Sequence, residues 1–139
     1  MSERLPNLGA VRRHLSAAGL APRFTGRGLF FRVPVRGKPV ACELLWEPER
    51  GVLRFLLGMP ISWPSECPDG VDGAVTSLNN ELSDGAFQVW SQGRRFVLFG
   101  SHIFLSHDGT VSAFAVDELL RKARATVEWG VERIEPLVR

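Results

Sequence analysis

Tyrosine is missing from this 139-residue chain, and cysteine, methionine and lysine occur only twice each. Two cysteines, Cys42 and Cys67, cannot build the disulfide framework that staples small secreted domains. No apolar run is long. GLFF, FLLGMPI and FVLFG are the longest, far short of the roughly 20 residues that a membrane span needs. The opening MSERLPNLGAVRRHL is charged and has no uninterrupted apolar stretch, so a secretory signal is not expected. These absences predict a cytoplasmic protein with no membrane partner.

Chemical motifs are equally scarce. The chain has no GxGxxG, no GxxxxGK followed by Ser or Thr, and no GxSxG. DGVDG (Asp69 to Gly73) lacks the third acidic position and the terminal glutamate of a calcium loop. Asp69 reads instead as a helix N-cap. Of the three histidines, His14 lies on the first helix near Leu15 as a surface or boundary residue, and His107 begins a turn. His102 reads as a hydrogen-bonded core histidine on the Phe96 and Leu98 side of a strand. His102 and His107 would face opposite sides of that strand and make a poor metal pair. Cys42 alternates with apolar neighbours as a small buried hydrophobe does. Cys67, in a proline-rich loop, is the more reactive thiol but has no adjacent histidine. No pair of carboxylates shares an apolar face. The expectation is a protein that is not an enzyme and has no catalytic residue, no metal and no cofactor.

What is present describes an ordinary folded chain. Apolar residues make up 45% and charged residues 23%, enough for one domain over residues 1–139 with its own core. Leu8, Val11, Leu15 and Ala18 recur at helical spacing and predict a helix over Pro6 to Ala18, with Pro6 in its first turn and Gly19 as its stop. Three strands follow, GLFFRVPV, VACELLWE and VLRFLLG, separated by the turns RGKP and PERG. Their alternation places Leu29, Phe31, Val33 and Val35, then Val40, Cys42, Leu44 and Trp46, then Leu53, Phe55 and Leu57 on one face. Pro34 points to an edge or a bulge. MPISWPSECPDG holds three prolines and reads as a surface loop carrying Trp63 and Cys67. A second helix over Val71 to Leu82 presents Val71, Val75, Leu78 and Leu82, with Gly85 as its C-terminal glycine. AFQVW and RFVLFGSHIFL, joined by the turn SQGR, read as two more strands, the second the most buried of all and bent at Gly100. A helix over Ala115 to Glu135 closes the chain on the stripe Val116, Leu119, Leu120, Ala123, Val127 and Ile134.

The expected architecture is α+β: an α-β-β-β-α-β-β-α order, with a single five-stranded antiparallel sheet packed with three helices. The second face of that sheet would carry Phe30, Leu45, Leu56, Trp90, Val97 and Phe99 among Arg32, Glu43, Arg54 and Gln88. Helices split between the two faces would cover it; otherwise it is an apolar partner surface. Either arrangement suits a homodimer.

Net charge is only +2, yet 15 of the 17 basic residues are arginine. Guanidinium groups suit phosphate recognition, and a GC-rich genome produces the same bias. Arg12/Arg13, Arg94/Arg95 and Arg121/Lys122/Arg124 form basic clusters, and Trp90 could stack on a base. A nucleic-acid-associated protein, binding single strands or accessory to them, is therefore the alternative function. The small net charge and the lack of a module signature weigh against it.

The doublet Asn79–Asn80 sits inside the second helix, where asparagine is a poor choice. At about 100° per residue, Asn80 points away from the apolar stripe into solvent, while Asn79 lies at the boundary of core and water. Asn79 is expected to be a structural fastening to a neighbouring strand or to a twin subunit.

VTSLNNELSDGAFQVW, RRFVLFGSHIFL and the closing helix with VDELLRKA resemble the YbjN-like family of bacterial proteins, also described as sensory transduction regulators. The Leu78–Asn79 pair leading to GAF carries the resemblance most directly. The element order is also similar to that of type III secretion chaperones. This resemblance implies a homodimer that holds an unidentified protein partner and catalyses nothing. Secretion chaperones are usually acidic and this chain is slightly basic, which turns the expectation toward general protein binding or regulation.

Overall fold

The computed structural model describes residues 3–26, 28–64, 66 and 70–138. Cys67 and Asp69, the expected reactive thiol and helix cap, lie outside the described residues. The elements run β1 (Arg4–Leu5), α1 (Leu8–Ala17), β2 (Arg23–Thr25), β3 (Gly28–Val35), β4 (Lys38–Glu47), β5 (Val52–Trp63), α2 (Val71–Glu81), β6 (Ala86–Gln92), β7 (Arg94–Phe104), β8 (Val111–Ser112) and α3 (Ala113–Val138). The mixed α+β class and the three helices match expectation. The sheet does not: it has six antiparallel strands in the order β2-β3-β4-β5-β7-β6, and β1 pairs with β8 in a separate two-stranded ribbon.

The α1 helix starts later than its proline suggested. Asn7 is the N-cap, its side chain accepting from the Ala10 N–H at 2.9 Å. Pro6 thus precedes the cap instead of occupying the first turn. Gly19 follows the helix at φ +91°, the left-handed region where a β-carbon is penalised.

The strand faces of β3, β4 and β5 follow the period of two. Leu29, Phe31, Val33, Val35, Val40, Cys42, Leu44, Leu53, Phe55 and Leu57 are all buried. The β3–β4 hairpin closes on Arg36 and Gly37, both at positive φ (52° and 78°), as a type I′ turn requires. A β-branched or long side chain is costly there, whereas asparagine tolerates it. We expect Arg36→Asn to stabilise the protein by about 0.5–1 kcal/mol, read as a higher urea midpoint at unchanged slope.

The proline-rich segment is regular for longer than its composition suggested. β5 continues through Met59, Pro60 and Ile61 to Trp63, and a register shift between Gly58 and Ser62 absorbs the irregularity against β7. A bulge is one of the places where a strand accepts proline. Trp63 is therefore not on a surface loop. It is 1% exposed and is the largest fully buried side chain.

All three helices pack on one side of the sheet, into one continuous core. The stripe Val116, Leu119, Ala123, Val127, Val131 and Ile134 of α3 is buried, as are Val71, Val75 and Leu78 of α2. Arg4 joins the β1–β8 ribbon to the turn that precedes β8 through Thr110 Oγ1 at 2.7 Å and through Ser106. His14 Nε2 meets Asp117 Oδ1 at 2.8 Å and connects α1 to α3.

Candidate functional site

Because no helix among the described residues covers the other sheet face, that face is the first candidate site. Its composition depends on the register of the last hairpin. A turn over Ser91 to Arg94 would set Trp90 opposite Arg95 and place Val97 and Phe99 beside it. The observed pairs are instead Gln92 with Arg94, Ser91 with Arg95 and Trp90 with Phe96. A one-residue slip exchanges the two faces of a strand. Val97 (0% exposed) and Phe99 (4%) thus lie in the core under the helices, and neither belongs to the open surface. Phe96, Leu98, His102 and Phe104 take that side. This also corrects His102, which is exposed and is not a core histidine. β7 is accordingly not the most buried strand.

Phe30, Leu45, Leu56 and Trp90 do share the open face. Register rows place Leu56 between Gly100 and Glu43, Glu43 beside Phe30, and Leu45 beside Arg54. Trp90 is 51% exposed and Phe104 75%. His102 and Phe104 meet edge to face with centroids 5.1 Å apart. Phe30 lies between two guanidinium groups, Arg23 at 5.0 Å and Arg32 at 5.3 Å from its ring centre. Cations over an aromatic face are held by the ring quadrupole. Arg54 bonds Glu47 at 3.0 Å, and Arg94 donates to Ser62 Oγ at 3.1 Å. The face therefore has a leucine-rich centre with a rim of aromatic rings and four arginines.

Asn79 lies at the edge of the sheet. Its Nδ2 donates to the Phe87 carbonyl at 3.0 Å, and its Oδ1 accepts from the Phe87 N–H at 2.7 Å. One amide thus satisfies both backbone groups of a residue on the edge strand, as a neighbouring strand would. Asn80 is exposed. The boundary position of Asn79 could be read from helical geometry, but Phe87 as its partner could not.

A second concavity lies on the helix side, where α3 diverges from the last residues of β7. This groove, of about 700 Å³, is floored by Phe99, Ser101 and Ile103, walled by Leu119 and Ala123, and closed by residues 81–85 after α2. Sequence reasoning missed it, since its residues come from three separate segments with no common spacing. Glu118 is held by Arg121 through bonds of 3.0 and 2.8 Å, and that guanidinium keeps its carboxyl below the usual range. Cys42 lies in the core away from both surfaces, and burial pushes its thiol well up, so it stays protonated and inert in the folded chain.

The three basic clusters of the sequence lie on separate elements. Arg12 packs over Phe24 at 5.2 Å and donates to the Pro22 carbonyl at 3.3 Å. Arg94 and Arg95 begin β7, and Arg121, Lys122 and Arg124 sit on α3.

No protein-family model matches the sequence, and no curated protein sequence matches it. Among solved structures, the chain is similar to the crystal structure of YbjN from E. coli, a proposed transcription regulator. The match covers 91% of this chain and 90% of that one, with a TM-score of 0.66 and 12% sequence identity. Among the described residues no helix is long and apolar enough to cross a membrane. At that level of identity the likeness concerns architecture, and by it this chain has a YbjN-like fold.

Proposed function

We propose that the protein is a non-enzymatic, dimeric protein-binding module with a regulatory role, and that the open sheet face is where two copies meet. The observation that supports this most is the one-sided packing. Three helices cover one face, while Phe30, Leu45, Leu56, Leu98 and Trp90 remain on the other. A leucine centre with an arginine and aromatic rim has the anatomy of an interface, and tryptophan and arginine are over-represented among the residues that dominate such contacts. The spread of the basic clusters over separate elements, several already engaged, favours protein binding over a nucleic-acid track.

Light scattering after size exclusion tests the reading. The expected mass at micromolar concentration is twice 15.4 kDa. Leu56→Glu, at the centre of the face, is expected to raise the dimer dissociation constant by about 30-fold or more, the effect of losing about 2 kcal/mol at an interface centre. A wild-type chain that stays monomeric at 100 µM, or a Leu56→Glu variant that dimerises as the wild type does, excludes this face as the contact.

A further inference from the structure

We propose that the groove beside β7 receives an extended segment of a different polypeptide, paired as a strand in the lane that β6 leaves at Gly85. The inference rests on the protein-binding reading above and gives that reading a place and a mode.

Backbone direction carries it. In an antiparallel pair, successive residues turn their N–H and C=O groups to opposite sides. Leu105 donates to the Gly51 carbonyl at 2.8 Å, so the odd-numbered residues of β7 face β5. Asn79 meets Phe87 on the side of β6 away from β7, so Ala86 and Gln88 face β7, opposite Gly100 and Leu98. Both observations give the same parity, in which the even-numbered residues of β7 face the β6 lane. His102 and Phe104 continue that row, but β6 begins only at Ala86, opposite Gly100. No described residue pairs with their N–H and C=O groups on that side.

The chain is turned out of this lane at Gly85. Its φ is +76°, and a β-carbon there would lie 2.6 Å from the Gly100 carbonyl oxygen. The lane beyond is the groove itself. A guest residue opposite Ser101 or Ile103 would point its side chain toward Phe99, Leu119 and Ala123. One opposite His102 would lie on the open face. A row of main-chain donors and acceptors with a pocket for alternate side chains recognises an extended peptide. The end wall adds a charge requirement. Glu81 and Asp84 line it and have no ion pair among the described residues, whereas on the α3 wall Glu118 is already taken by Arg121 and also feels the charge of Lys122. The guest is therefore a segment with alternating apolar residues and a lysine or arginine at the Glu81/Asp84 end.

Selection of seven-residue peptides from a random library on the full-length chain tests this, followed by titration of the best binder. The expected binder has alternating apolar residues and a terminal basic residue. In its complex, amide exchange at His102 and Phe104 slows tenfold or more, while Ile103 is already slow in the free protein. Methylating a pairing amide of the peptide weakens binding at least tenfold, and so does Ser101→Phe, which fills the floor. The exposed double substitution Glu81→Lys, Asp84→Lys weakens it several-fold, with a smaller effect at high salt. It keeps the test sound if Ser101→Phe folds poorly. The proposal is overturned if no peptide is enriched, if binding ignores N-methylation, or if exchange at His102 and Phe104 is unchanged. It is also overturned if Ser101→Phe turns a dimer into a monomer, because the groove would then be a contact between copies. The mass of the wild type reports separately on dimerisation, so the two readings fail independently.

Discussion

Gly85→Ala is expected to lose about 2–5 kcal/mol of stability. Two costs add. At φ +76° an L residue is strained by about 1–2 kcal/mol. The added methyl would also lie 2.6 Å from the Gly100 carbonyl oxygen and 2.7 Å from the Phe99 ring. The first of these neighbours is backbone, paired with Ala86 at the end of the β6–β7 ladder and with Leu56 on its other side; it cannot rotate away, and overpacking of this kind costs about 1–3 kcal/mol more. Gly109→Ala separates the two costs. Gly109 has a φ of +81° and nothing within 4 Å of an added β-carbon, so it should lose only the conformational part. Urea unfolding of the two variants beside wild type gives the comparison. Equal losses would show that the sheet yields at Gly100 and that the close approach costs nothing.

Asn79→Leu should cost about 2–4 kcal/mol, because two half-buried backbone groups of Phe87 lose their partner together and each unmet group costs about 1–3 kcal/mol. Leucine has nearly the same size, so packing changes little. Asn80→Leu, one residue on and exposed, should stay within about 0.5 kcal/mol. A further signature distinguishes lost hydrogen bonds from lost packing: exchange at the Phe87 amide should accelerate in Asn79→Leu while that of Gln88, which faces β7, holds. A loss below about 0.5 kcal/mol would mean that water replaces the asparagine without penalty.

Much of this fold could be read from alternation and helical spacing. The faces of β3, β4 and β5 and the stripes of α2 and α3 each repeat their period over enough residues to be unambiguous. Three parts could not be read. β1, β2 and β8 are two or three residues long, too short for any period to show. The end of β5 hid behind Pro60 and Gly58, which punctuate most sequences but here occupy a bulge. The β6–β7 register turned on whether the reversal centred on Gly93 or spread over SQGR, and that single residue moved Val97 and Phe99 from the candidate surface into the core. The candidate site inherited both outcomes. Phe30, Leu45, Leu56 and Trp90 were legible because their strands were, while the groove depends on where β6 starts relative to the end of β7, which no local pattern encodes.

The amide of Asn79 has one more consequence, for solubility. A sheet with open edges is a template on which further copies can grow, and proteins blunt such edges or keep them short. Here Asn79 occupies the first outward-facing residue of β6, leaving only Val89 and Ser91 of that strand to offer a row. At the far side, Pro34 removes an N–H from the part of β3 that β2 does not reach. The outer edges of β6 and β3 are thus poorly suited to fibrillar stacking, although the second face of the sheet is rich in leucine and aromatic residues. Losing the asparagine would reopen the β6 margin, and slow aggregation under native conditions would follow before any change in overall fold.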